Sequence, residues 1–164
     1  MPTHAEKRKL PYTPEQVYAV VAEVDKYPQF LPWCTACRVK RREGDVFYAD
    51  LVVAFKMFRE QFTSKVTLHP QDQIDVEYID GPFRYLHNQW KFVRADDGSC
   101  IVDFYVDFEF RSRVLQRLIG LLFNEAVQRM VAAFERRAHE LYGEEGKVAS
   151  AQTPRSQRSA FATG

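Results

Sequence analysis

Between Phe47 and Phe110, apolar side chains return at every second position in five successive runs, and this period limits the fold more than any other feature of the chain. Phe47, Ala49, Leu51, Val53 and Phe55 alternate with polar neighbours. So do Phe58, Phe62, Val66 and Leu68, then Ile74, Val76 and Tyr78, then Leu86, Trp90 and Phe92. The last run is Val102, Phe104, Val106, Phe108 and Phe110. A period of two puts neighbouring side chains on opposite faces of a strand. Each run therefore reads as a strand with one buried and one wet face, the pattern of an antiparallel sheet. Turn formers separate the runs: Glu43-Gly44-Asp45, His69-Pro70-Gln71, Asp80-Gly81-Pro82 and Asp96-Asp97-Gly98. His4 to Leu10 adds a short polar strand, and the two-residue period begins after Ala36.

Helical signals flank this block. Thr13-Pro14-Glu15-Gln16 carries a capping residue, a proline suited to the first helical position and a glutamine that completes a capping box. Val17, Tyr18, Val20, Val21 and Val24 continue at helical spacing. In Asp25 to Cys34, Tyr27, Phe30, Leu31 and Trp33 fall around Pro28 and Pro32, which restrict the segment to a turn or a short second helix. Large apolar groups on such irregular backbone need something to cover. Ser112 caps a long helix to about Tyr142, with Gly143 as its stop. Leu115, Leu118, Ile119, Leu122, Ala126, Met130, Phe134, Ala138 and Leu141 form its stripe, while Val114, Leu121 and Phe123 make its start apolar on other faces too. That start could be core, ligand wall or membrane contact.

A sheet with its wet residues on one side must bury the other, and only the last helix is large enough to cover it. The expected architecture is α+β: a curved antiparallel sheet of about six or seven strands wrapped around the long C-terminal helix. Residues 1–146 form the expected domain, and the small, polar, aperiodic residues 147–164 an expected disordered tail. Whether the space between sheet and helix is filled decides the function.

Composition removes several classes. A formal charge of +1 argues against wholesale nucleic-acid binding, and no apolar run nears the roughly 20 residues of a membrane span. MPTHAEKRKL lacks a signal-peptide core, so the expected location is cytoplasmic. No GxSxG and no phosphate-cradling glycine loop is present. Cys34-Thr35-Ala36-Cys37 is a CxxC that precedes a strand rather than a helix. Neither Cys100 nor the scattered histidines complete a zinc set, so no metal site is expected. Aromatic residues, 14% of the chain, can build a deep core or line an apolar pocket.

Polar residues also fall in the apolar phases. Glu60 shares a face with Phe58 and Phe62, and Asn88 sits between Leu86 and Trp90. Each reads either as a satisfied core or strand-end group or as one of the few polar groups that orient a ligand in an apolar pocket. Lys7, Arg8 and Lys9 form one basic run, and Arg38, Lys40, Arg41 and Arg42 another. If their strands are neighbours, the runs make one patch for anionic lipid or RNA phosphate; otherwise they are solvated faces.

Val24 to Cys34 (VDKYPQFLPWC), together with Asp80 to Leu86 (DGPFRYL), Trp90, Phe92 and the Phe108-Glu109-Phe110 strand end followed by Ser112, resembles the coenzyme Q-binding START-domain family. That family lies in the polyketide cyclase/dehydrase-like, helix-grip superfamily. Cys37 departs from its pattern. The resemblance covers His4 to Tyr142 and implies a single-domain, non-enzymatic carrier or chaperone of ubiquinone that supports respiration, cytoplasmic or peripheral to the inner membrane. Phe55, Phe58, Phe62, Trp90, Phe104 and Phe108 would line the cavity. Leu86, with Glu60 and Asn88, would also touch the ligand. Leu115, Leu118, Ile119 and Leu122 would face the isoprenoid tail, and Tyr27, Phe30 and Trp33 would guard the mouth. No cofactor is expected beyond this ligand. The same family includes a ribosome-association toxin, which makes the basic residues a candidate contact with the large ribosomal subunit. A cyclase or dehydratase using Glu60 and Asn88 is the third alternative.

Overall fold

The alternating runs become the strands of one sheet in the computed structural model, which describes residues 3–55 and 58–149. β1 (Thr3–Leu10) leads into α1 (Pro14–Ala22) and a 3-10 helix (Val24–Gln29). β2 (Cys34–Glu43), β3 (Val46–Phe55), β4 (Phe58–His69), β5 (Gln73–Asp80), β6 (Phe83–Arg94) and β7 (Cys100–Phe110) follow, then α2 (Arg113–Tyr142). The seven strands pair in the order β1-β7-β6-β5-β4-β3-β2, each pair antiparallel. β1 and β2 are thus opposite edges of a curved sheet, with α2 along its inner face. The expected helix-grip architecture is present, with seven strands.

Local chemistry fixes the ends. The Gln16 amide donates to Thr13 Oγ1 at 3.2 Å and the Thr13 amide to Gln16 Oε1 at 2.8 Å, so the capping box forms. The Leu115 amide donates to Ser112 Oγ at 3.2 Å, and Gly143, at φ +62°, ends α2. Pro28 lies inside the 3-10 helix, the short second helix that the prolines allowed. The residues after α2 are stitched to the start of the domain. Tyr142 Oη donates to the Gln16 carbonyl, Tyr12 Oη to the Gly143 carbonyl, and the Val148 amide to the Pro11 carbonyl. Description stops at Ala149, so residues 150–164 of the expected tail lie outside it.

The core has two parts. A larger one joins α1, the sheet around Phe47, Ile74 and Trp90, and Ala133, Phe134 and Ala138 of α2. A smaller one, under the start of α2, gathers Phe83, Phe108, Phe110 and Ile119. The inward stripe of α2 is rotated slightly from the expected one. Ile119, Val127, Ala133, Phe134 and Ala138 are buried, whereas Leu118 and Leu141 are exposed.

Gly81 sits in a tight turn against β4. Its φ is +143°, and a Cβ there would lie 2.6 Å from the Cβ of Phe62. Gly81→Ala is expected to lower the free energy of unfolding by about 3 kcal/mol or more. Gly44→Ala, at φ +61° with open space around it, is expected to cost only about 1 kcal/mol. Urea unfolding of both variants checks the contrast, and equal losses would contradict it.

Candidate functional site

The two parts of the core do not close on each other. Between them, under α2, lies a cavity of about 280 Å³. Its floor comes from inward positions of β3 to β7, including Leu51, Val66, Ile74, Val76 and Val106. Its roof is Ile119, Phe123, Ala126, Val127, Met130 and Phe134 of α2, and Val24, Tyr27, Leu31, Trp33 and Cys34 close one end. The period-two register explains most of the floor, because its residues stand at the inward positions of their runs. Phe83 is out of phase with Leu86 and Trp90 and joins the wall through a register shift at the start of β6.

Nine of the expected ligand contacts stand in this wall: Tyr27, Trp33, Phe62, Leu86, Asn88, Trp90, Phe104 and Phe108, with Ile119 from the helix. Phe30 is not in the wall. It packs behind it, with ring centroids 5.8 Å from Tyr27 and 5.4 Å from Phe134, and the Arg137 guanidinium lies over its ring. Leu115 packs against the smaller core, Leu118 is exposed, and Leu122 is half-buried outside the wall. The side chains of Phe55 and Phe58 fall outside the described residues. Sequence reasoning left Phe123 and Val127 out of the site. Their signal was the spacing Ile119, Phe123, Val127, masked by the all-round apolar start of the helix.

Polar groups in the wall are few. Asn88 Nδ2 donates to the Tyr105 carbonyl at 3.1 Å, and its Oδ1 accepts from Trp90 Nε1 at 2.8 Å. That leaves one amide N–H for anything in the cavity. Ser64 is 1% exposed, and its Oγ is the one buried side-chain polar atom without a hydrogen-bond partner among the described residues. Tyr27 turns its hydroxyl onto the Val21 carbonyl, and burial pushes its pKa up. Glu60 is half-buried, opposite Val53 near the start of β4, and outside the wall.

The basic runs do not merge, because β1 and β2 are opposite edges of the sheet. This corrects the idea of one joint patch. Several charges are also answered by carboxylates. Arg8 reaches Glu135 at 2.6 Å, Lys9 reaches Asp97 at 3.0 Å, Lys40 reaches Asp50 at 3.7 Å and Arg41 reaches Glu43 at 3.2 Å. The Arg42 guanidinium lies over the Phe47 ring. Lys7 and Arg38 lie on these same two edges, on β1 and β2.

Residues 10–135 match the family described as polyketide cyclase / dehydrase and lipid transport. The chain belongs to this family. Ribosome association toxin RatA of Rickettsia prowazekii is 36% identical over 136 residues, covering 80% of this chain and 92% of that protein. Coenzyme Q-binding protein COQ10 homolog B of Xenopus laevis is 34% identical over 160 residues, covering 94% of this chain and 66% of that one. A START superfamily protein of Mycobacterium smegmatis has the same fold, with a TM-score of 0.74 at 20% identity over 85% of this chain and 98% of the other. The resemblance read from the sequence therefore holds at the level of family and fold. It includes both coenzyme Q-binding and ribosome-association relatives.

The CxxC lies at one end of the cavity. Both thiols are free, with Cys34 in the wall. Burial pushes Cys34 up to about 11 and, helped by nearby negative charge, Cys37 up to about 12. Cys100, buried at the start of β7, is pushed up to about 12. Reactive thiols need the opposite shift. No group of three metal-ligating side chains forms among the described residues.

In native protein near pH 8, all three thiols are expected to react with Ellman's reagent at least about tenfold more slowly than in urea. The raised folded pKa values also set a sign. The thiols stabilise the fold fully below the ordinary thiol pKa, and this contribution is lost as pH rises towards the folded values. Stability is therefore expected to fall above about pH 9. Fast native labelling, or stability rising through that range, would contradict the burial.

Proposed function

We propose that the protein binds a polyisoprenoid quinone of the ubiquinone type in the cavity under α2 and acts as its carrier or chaperone. The observation that carries this reading is the cavity itself, about 280 Å³ of apolar space inside the domain. Empty apolar space of this size costs several kcal/mol of stability, which a bound hydrophobic ligand offsets. Each Å² of apolar ligand surface removed from water contributes about 25 cal/mol. The spare Asn88 N–H and the unpartnered Ser64 hydroxyl suit the carbonyl or hydroxyl oxygens of a quinone or quinol head. The volume accepts about one drug-sized ligand, so a long isoprenoid tail must leave the cavity. The COQ10 relative, whose name records coenzyme Q binding, supports the ligand class. On this reading the protein supports respiratory electron transport from the cytoplasm, at the periphery of the inner membrane.

A cyclase or dehydratase is a poorer fit. Glu60 stands outside the wall and Asn88 is committed to Tyr105 and Trp90. Ribosome association is the second reading, supported by the RatA relative. The divided and largely paired basic runs weigh against it. Cosedimentation with large ribosomal subunits at low salt decides it, since phosphate contacts are strongest there.

Lipid extraction of the purified protein followed by mass spectrometry tests the main reading. A quinone is expected in the extract. Ala126→Phe, which fills the roof of the cavity, is expected to reduce bound quinone at least about tenfold while keeping or raising the melting temperature. A wild-type protein that copurifies with no quinone and takes up none when offered would remove the proposal.

A further inference from the structure

The first turns of α2 present three different faces. Leu115, Ile119 and Phe123 point to the sheet and cavity. Val114 and Leu121 point away from the protein, 78% and 80% exposed, with Leu118 beside them at 37%. Arg113 and Arg117 lie along the flank of this outward apolar strip, at helical spacing. Across a surface depression from them stand Arg84 and Arg111, with Glu109 as the single acid in its lining. Arg111 Nε is fixed to the Phe83 carbonyl at 3.0 Å. None of the four arginines joins an ion pair among the described residues, unlike Arg8, Lys40 and Arg41. Phe110 and Phe123 line both this depression and the cavity.

We propose that this face of α2 docks on the surface of an anionic lipid bilayer, with Val114, Leu118 and Leu121 entering the acyl boundary and the arginines holding lipid phosphates. A helix lying in the interface buries apolar side chains on one side and sets cationic groups at headgroup level. Charge complementarity selects this occupant. A second copy packed on the same face by two-fold symmetry would set arginine against arginine. RNA answers the arginines but offers nothing to three aliphatic side chains, since bases are held by stacking on aromatic rings or guanidinium planes. Because Phe110 and Phe123 separate the docked face from the cavity by a single layer of side chains, ligand would pass between bilayer and cavity there. This passage rests on the ligand reading above; the docking does not.

The test is flotation of the full chain with vesicles of phosphatidylcholine alone and of phosphatidylcholine with phosphatidylglycerol at about 3:1. Binding to the anionic vesicles is expected to exceed binding to neutral ones at least about tenfold and to fall as salt rises. Val114→Asp with Leu121→Asp is expected to lower it about tenfold or more, and Arg113→Glu with Arg117→Glu about as much. These positions are exposed, so both variants should keep the wild-type melting temperature and take up quinone offered from cyclodextrin as the wild type does. Equal flotation of wild type and both variants would overturn the docking face, as would flotation indifferent to lipid charge. So would absence of flotation together with arginine-dependent binding to ribosomal RNA. Failure of wild-type protein to take up quinone from cyclodextrin would strike the ligand reading and leave the flotation result to decide the docking.

Discussion

Phe134 is the contact on which the rest of the architecture depends. Its ring meets Trp90 of β6 at 5.1 Å, Tyr27 of the 3-10 helix at 5.5 Å and Phe30 at 5.4 Å. One side chain thereby joins the long helix, the sheet and the proline-broken segment. Aromatic pairs of this kind add to the area they bury, about 1 kcal/mol each. Around this junction the inward face of the C-terminal half of α2 is packed against the rest of the domain. Ala133 and Ala138 let it approach closely, and Tyr12 and Tyr142 tie its end to the β1–α1 connection.

The cavity follows from that asymmetry. The curved sheet presents one continuous apolar face, but α2 is clamped to it closely at one end only. Towards its N-terminus the helix rests on a separate cluster around Phe83, whose ring stacks on Phe110 at 4.5 Å. Between the two supports the side chains of α2 roof the floor without filling the space above it. The same geometry leaves Val114 and Leu121 outside, so the apolar character of this helical stretch serves two surfaces.

Much of this was legible in the sequence because it is local. Alternation set most of the inward residues of β3 to β7, Thr13 with Gln16 and Ser112 set the helix starts, and the Gly44, Gly81 and Gly98 turns fell where the runs break. What was not legible depends on partners distant in sequence. A helix apolar all round has no phase of its own, so Leu118 and Leu122 were expected in a wall that contains Phe123 and Val127 instead. The placement of β1 and β2 at opposite edges is a property of the strand order, which no run encodes by itself. It separated basic residues that looked like one patch. The committed hydrogen bonds of Asn88 likewise needed Tyr105 from another strand.

The space under α2 is the proposed ligand site. Both tryptophans of the chain, Trp33 and Trp90, stand in its wall, so the intrinsic fluorescence of the protein reports on it directly. Titration with a short-chain ubiquinone should quench that fluorescence saturably, at one quinone per protein, and raise the melting temperature in step. Quenching that stays linear and unsaturated, with no change in melting temperature, would contradict the account.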